Sequence, residues 1–174
     1  MEIRLNTVLW IEDQFDLIQS WVEWLAYDPN MRQAYGSQLK IRQSNITDAV
    51  DDAVAAANIE ALVAEAGNNP TIINVQTAQT ARAYLGKYVP GAVICDSSFP
   101  LNGAAVVGWL QQQGLPDYPL IGLSGKYLEQ LEPQVLKFFC ETSARYFCKR
   151  GLDETRLAEA VISSRLFVQI RYNP

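Results

Sequence analysis

The stretch Thr7-Val8-Leu9-Trp10-Ile11-Glu12-Asp13 decides the fold of this chain. Five β-prone, mostly apolar residues are followed at once by two acids. A continuous run of this kind, without alternation between apolar and polar residues, is typical of a strand covered on both faces, as in a parallel sheet. Parallel sheets carry their functional groups at the carboxyl ends of the strands. Glu12 and Asp13 therefore stand where a site is expected to form.

The same pattern of a short apolar run and a following helix recurs along the chain. Strands are predicted at residues 7–11, 71–75, 91–95, 120–123 and 144–148. Helices are predicted at residues 15–27, 47–66, 77–86, 103–113, 127–142 and 153–168. Regular alternation of strand and helix predicts an α/β fold, with a five-stranded parallel sheet that is doubly wound by helices on both faces.

The segment between the first helix and the second strand is the hardest to interpret. Asp28-Pro29-Asn30 is predicted to break the first helix. Leu39–Arg42 alternates briefly and is compatible with either a short strand or the end of a helix. The helix at 47–66 is expected to be capped by Asn45 or Thr47, whose side chains can accept hydrogen bonds from its first turn.

Composition excludes several classes of protein. The chain has 174 residues, of which 49% are hydrophobic and 19% charged, which is ordinary for one folded domain spanning residues 1–174. Its net charge of −5 gives no general attraction for nucleic acid or anionic membranes. It contains no histidine, which excludes Ser-His-Asp catalysis, Cys-His catalysis and histidine-ligated metals. We find no signal peptide and no membrane span, so we expect a cytoplasmic protein.

The predicted strand ends carry charged and hydroxyl side chains: Glu12, Asp13, Asp96, Ser124 and Lys149. Three carboxylates that meet at one sheet edge repel one another unless a cation joins them, and hard oxygen ligands suit Mg²⁺. The lysine and the serine hydroxyl would complete a cradle for an anionic phosphoryl group. A carboxylate placed there can attack a phosphoryl donor and become an aspartyl phosphate, with the metal and the lysine stabilising the transferring oxygens.

Four pieces of the sequence carry a resemblance to a known family. They are VLWIEDQ (8–14), VICDSSFPLNG (93–103), PLIGLSG (119–125) and ARYFCKRG (144–151). In order and in position at strand ends, they resemble the receiver domain of bacterial response regulators, over residues 5–27 and 70–168. The resemblance implies a flavodoxin-like sheet of order 2-1-3-4-5. Residues 28–69 would then be an extra, largely helical insertion between the first helix and the second strand.

The resemblance also implies which residues would bind Mg²⁺. Asp13 and Asp96 would be direct ligands, and Glu12 would act through a water molecule. The backbone carbonyl of Ser98, two residues after Asp96, would be a further ligand. Glu12 and Asp13 directly follow the first predicted strand, and Asp96 and Ser98 follow the third.

Phosphoryl transfer and switching are implied for a second group. Asp96 would be the phosphoacceptor, and Lys149 would contact the phosphoryl oxygens. Ser124 would move toward the phosphate on activation, and Tyr146 would couple its side-chain rotamer to that movement. Lys149 is followed by Arg150, where the family usually has proline, so a cis peptide is not expected there.

A receiver of this kind is a signalling protein rather than an enzyme. Its phosphoryl group would come from the phosphohistidine of a sensor histidine kinase or phosphotransfer protein, and slow autodephosphorylation would remove it. Phosphorylation of Asp96 would switch contacts with a downstream protein target, with no nucleic-acid or membrane partner.

Two alternatives stay open at this point. The chain could be a receiver-like interaction or dimerisation module that does not use phosphate. The insertion at 28–69 could be either a surface elaboration or a docking surface, including one for a homodimer. An unrelated phosphatase with an aspartyl nucleophile is disfavoured, because such enzymes usually need a second acid two residues after the nucleophile, and that position is Ser98.

Overall fold

The structure is a computed structural model, and it describes residues 3–4, 6–96, 120–131, 133, 136–137 and 145–172. Its strands are β1 (Ile3–Arg4), β2 (Thr7–Ile11), β3 (Lys40–Gln43), β4 (Thr71–Val75), β5 (Tyr88–Val89), β6 (Ala92–Asp96), β7 (Leu120–Ser124) and β8 (Arg145–Cys148). Its α-helices are α1 (Phe15–Tyr27), α2 (Pro29–Tyr35), α3 (Asp52–Ala66), α4 (Ala78–Leu85) and α5 (Glu154–Tyr172). A 3-10 turn, Leu128–Gln130, follows β7.

The main sheet is open and parallel, and it has six strands in the order β3-β4-β2-β6-β7-β8. The α/β class with a parallel sheet is confirmed. The predicted count of five strands and the order 2-1-3-4-5 are wrong for this sheet, because β3 adds a strand beside β4 at one edge. A separate parallel pair, β1 with β5, was also not predicted.

The sixth strand comes from the insertion, which is therefore not only helical. At its two ends, Lys40 donates its amide to the Pro70 carbonyl and Ser44 donates to the Asn74 carbonyl, both at 2.9 Å. Ile41, within this strand, is partly buried and packs against the core. Four residues are too few for periodicity to distinguish a strand from a helix end, so pairing with β4 decided what the sequence left open.

Helix α1 ends at Tyr27 as predicted, but α2 was not predicted and α3 begins later than predicted. The Asp28 side chain accepts hydrogen bonds from the amides of Asn30 and Met31, each at 2.9 Å, so this break in α1 is also the N-cap of α2. Helix α3 begins at Asp52 and not at Thr47, because the Gln79 side chain pairs with the backbone of Val50 and holds it outside the helix.

Both faces of the sheet are covered, as the continuous apolar runs predict. On one face, alternate residues of β2 and β4 pack against α3 and α4 in a cluster that includes Leu9, Ile59 and Ile73. On the other, Val8 and Trp10 pack against α1, α2 and α5. Trp10 is fully buried and belongs to the core beside the acids.

Several predicted elements fall outside the described residues. These are the helix at 103–113 with Trp109, most of the helix at 127–142, and the loop that contains Ser98. Within the described part of the chain, no helix combines the length and apolar character that crossing a bilayer requires.

We expect the packing of α3 against the core to anchor the insertion. Ile59 is 1% exposed in the cluster beneath β4, whereas Val54, on the same helix, is 49% exposed. Ile59→Ala should lower the free energy of unfolding by about 2–5 kcal/mol, because it leaves a cavity. Val54→Ala should change it by less than about 0.5 kcal/mol. Urea denaturation measures both, and equal effects would show that α3 is not packed as described.

Candidate functional site

Adjacent parallel strands bring the predicted site residues to one edge of the sheet. Ile11 of β2 lies opposite Cys95 of β6, so Glu12 follows β2 beside Asp96, the last residue of β6. Strands β7 and β8 continue the sheet on the other side of Asp96. Ser124 ends β7, and Lys149 directly follows β8.

The three carboxylates form a compact cluster. Glu12 and Asp96 are buried and Asp13 is half-buried, and one oxygen from each lies within 4.8 Å of the others. Carboxylate oxygens at this separation can bind a metal ion, and hard cations prefer them. One observation fits such a role: among the described residues, no donor reaches the buried Oδ1 of Asp13. A cation bound there would provide the missing partner.

Lys149 is the counter-charge of the cluster. Its Nζ lies 2.6 Å from Oε2 of Glu12 and 3.2 Å from Oδ2 of Asp96. The lysine side chain is 18% exposed, whereas the side chains of both acids are almost fully buried. The Lys149 amide also donates to the Ser124 carbonyl at 2.7 Å, which fixes where the side chain leaves the backbone.

The electrostatics of the cluster are unbalanced. Burial, together with the nearby Asp96, raises the pKa of Glu12 to about 7, although Lys149 acts in the opposite direction. Burial would lower the pKa of Lys149, but the hydrogen bond to Glu12 and the charge of Asp96 outweigh it and raise that pKa. The lysine is therefore held charged, while Glu12, with its pKa of about 7, exchanges a proton near neutral pH.

Ser124 and Tyr146 lie together at the end of β7. The Ser124 hydroxyl is fully buried and accepts a hydrogen bond from the Lys126 amide at 3.2 Å. The Tyr146 hydroxyl donates to the Lys126 carbonyl. Burial raises the pKa of Tyr146, and a hydrogen bond with Ser124 opposes this rise. The pair predicted to act as a switch is thus joined through one short turn.

Sequence reasoning missed Asn74, which lies next to the acids on β4. Its side-chain nitrogen donates to the carbonyls of Trp10 and Glu12, both at 3.0 Å. Further bonds hold the same loop: Glu12 donates its amide to the Val75 carbonyl at 3.0 Å, and Gln14 donates to Oε1 of Glu12 at 3.1 Å. A fully buried polar residue inside an apolar strand was the signal that could have identified Asn74.

Removal of the counter-charge should destabilise the protein in a pH-dependent way. Lys149→Met leaves two buried carboxylates without their cation, so at pH 8 it should cost about 3 kcal/mol of unfolding free energy. In the variant the pKa of Glu12 rises above about 7, because the lysine that lowers it is gone. The folded state then binds a proton more tightly than the unfolded state, so stability falls as pH rises.

The cost of Lys149→Met should therefore be clearly smaller at pH 5 than at pH 8, as measured by urea denaturation. Lys126→Met, at an exposed lysine on the same edge, is the matched control and should cost little at either pH. A loss that does not depend on pH would contradict the buried ion pair.

Comparisons with known proteins do not identify this chain: no family model matches it, and neither a curated protein nor a solved structure is found to be similar. Its function must therefore be inferred from the geometry of the site.

Proposed function

We propose that this chain is a phosphoacceptor receiver of two-component signal transduction, in which Asp96 takes up a phosphoryl group in a Mg²⁺-dependent reaction. The observation that carries the proposal is the arrangement around Asp96. This buried carboxylate shares a cluster with Glu12 and Asp13, and Lys149 lies 3.2 Å from its Oδ2. Acidic cation ligands, an acceptor carboxylate and a fixed positive charge are the groups that phosphoryl transfer to a carboxylate requires.

Each residue has a definable task in this reaction. Asp13 and Asp96 would hold Mg²⁺ directly and Glu12 would contribute through water, and the bound ion supplies positive charge against the phosphoryl oxygens. A carboxylate oxygen of Asp96 forms the new bond to phosphorus while the bond from phosphorus to the donor breaks. With a cation bound among the carboxylates, Glu12 would no longer need Lys149 as its counter-charge. The Lys149 ammonium group could then move from Glu12 toward the phosphoryl oxygens.

The turn after β7 supports the switching part of the proposal. Movement of the Ser124 hydroxyl toward a phosphate on Asp96 would break its hydrogen bond with the Lys126 amide. The Lys126 carbonyl accepts the hydrogen bond of the Tyr146 hydroxyl, so displacement of this turn would release the Tyr146 side chain too. Phosphorylation would in this way change the surface offered to a downstream protein.

The donor that fits this chemistry is a phosphohistidine on a sensor histidine kinase or phosphotransfer protein. The chain has no histidine of its own from which a phosphoryl group could be passed. It would act as an acceptor rather than as an enzyme, with slow hydrolysis of the aspartyl phosphate returning it to the ground state.

One observation favours a second candidate, a receiver-like interaction module that does not use phosphate. Lys149 already contacts both buried acids, so the cluster is partly neutralised without a bound cation. In addition, the Arg150 side chain lies over the ring of Tyr127 at 5.8 Å, which gives this end of the sheet a fixed contact of its own. Absence of Mg²⁺ binding in a calorimetric titration would support this module over a receiver.

Phosphorylation should depend on Asp96 alone. With Mg²⁺ and acetyl phosphate, the wild-type chain should gain the mass of one phosphoryl group in intact mass spectrometry, and Asp96→Asn should gain none. Asp16→Asn is the matched control, because Asp16 is an exposed acid of the first turn of α1, and it should be labelled normally. Labelling that survives Asp96→Asn would exclude this residue as the acceptor.

Mg²⁺ affinity should fall as the medium becomes acidic. The pKa of Glu12 is about 7 without a cation, so below this pH a proton must leave before the carboxylate can assist binding. The dissociation constant should rise by up to about tenfold per pH unit between pH 7 and pH 5. In Glu12→Gln this slope should largely vanish, because the titrating group is gone. Calorimetry at several pH values tests this, and an unchanged slope in the variant would assign the proton to another group.

A further inference from the structure

We propose that Asn74 positions the acid pair for cation binding, and that the insertion supports this function through Ser44. The inference rests on the cation site of the proposed function and assigns the insertion a part in it. The acid pair is Glu12 and Asp13. The hydrogen bonds of the Asn74 side chain go to backbone carbonyls and not to a carboxylate, so Asn74 acts through the backbone that carries this pair.

The side chain of Asn74 joins β4 to the end of β2. It is 0% exposed, and its nitrogen donates two hydrogen bonds of 3.0 Å, one to the Trp10 carbonyl and one to the Glu12 carbonyl. One of these carbonyls lies two residues before Glu12, and the other belongs to Glu12 and directly precedes Asp13. Both carbonyls can only accept, and the side-chain nitrogen of asparagine carries two hydrogens, one for each of them.

The cost of placing this amide here indicates a purpose beyond packing. Within the described residues, no donor reaches Oδ1 of Asn74, although the atom is buried. A buried acceptor without a donor is costly, and the two hydrogen bonds of the side-chain nitrogen offset that cost. The compensation is a fixed course of the chain from Trp10 to Asp13, which is what a metal site needs from the residues behind its ligands.

A chain of hydrogen bonds extends from Asn74 into the insertion. Its carbonyl accepts from the Ser44 amide at 2.9 Å, and the Ser44 hydroxyl donates to Oδ1 of Asn58 on α3 at 2.7 Å. The Gln76 side chain donates to the Ser44 carbonyl at 2.7 Å and closes the connection on the other side. Ser44 is 1% exposed, whereas Asn58 and Gln76 are half-buried, so these bonds are shielded from water on the Ser44 side.

The position of β3 explains why the insertion matters to the site. Without β3, the strand that carries Asn74 would be the edge of the sheet, with its outer amides and carbonyls open to solvent. With β3 in place, β4 is an interior strand and Asn74 lies in a low-dielectric environment, where its two hydrogen bonds are stronger. The insertion therefore shields Asn74 from water and keeps it in register with the end of β2.

The test compares Mg²⁺ affinity with stability in two variants of β4. Asn74→Leu keeps the number of side-chain heavy atoms and the branched shape, and it removes both donors. Thr71→Val removes a buried hydroxyl from the other end of the same strand, where it donates to the Asn69 carbonyl at 2.9 Å. We expect Asn74→Leu to weaken Mg²⁺ binding by about 10- to 100-fold in calorimetry on folded protein. Thr71→Val should lower the thermal midpoint but leave the dissociation constant within about twofold.

The connection to the insertion has its own test, which leaves β4 unaltered. Ser44→Ala and Asn58→Ala should each weaken Mg²⁺ binding by about 3- to 10-fold. The double variant should lose no more than the larger single loss, because the two residues act through one hydrogen bond. If Asn74→Leu does not fold, these variants alone decide the inference.

The outcomes separate the two levels of the proposal. Wild-type protein that binds no Mg²⁺ would overturn the proposed function and this inference together. Wild-type protein that binds Mg²⁺, with an unchanged dissociation constant in Asn74→Leu and in the Ser44 and Asn58 variants, would overturn the inference alone. Circular dichroism at the titration temperature ensures that each constant belongs to folded protein.

Discussion

The contact of Lys149 with two buried acids is the constraint on which this structure depends. An ammonium group 2.6 Å from Glu12 and 3.2 Å from Asp96 can exist only if β2, β6 and β8 are parallel and end at the same edge. The acids depend on the lysine in return, because a buried carboxylate without a counter-charge is strongly destabilising. The sheet order that buries the apolar runs is therefore also the order that pairs these charges.

The site could be predicted from sequence where backbone order alone determines it. Glu12, Asp96 and Ser124 were found because buried runs end at them, and parallel strands place their ends together. What was missed depends on side chains meeting across the fold. Strand β3 exists because β4 offers it an edge, and α3 starts late because Gln79 reaches the backbone before it. Such contacts leave no periodic trace in a single sequence.

The raised pKa of Glu12, about 7, reflects a conflict between its negative charge on one side and its burial beside Asp96 on the other. Lys149 contacts two of the three clustered acids, and the burial of these two prevents water from relieving the excess negative charge. The conflict can be relieved by a proton on Glu12 or by a cation among the carboxylates. A proton and a cation compete for the same negative charge, so a metal ion can bind here reversibly. An apolar core of equal volume would be at least as stable, so the cluster is better suited to metal binding than to stabilising the fold.

Asn74 shows how the insertion and this conflict are connected. Repulsion among the carboxylates pushes the loop after β2 away from β6, and hydrogen bonds to the carbonyls of Trp10 and Glu12 resist that displacement. The resistance is only as firm as β4 itself, and an edge strand frays more readily than an interior one. By adding β3, the insertion moves the edge of the sheet one strand away from the residue that restrains the acids. A sixth strand is thus understandable as support for the charge cluster, whether or not the insertion also meets a partner.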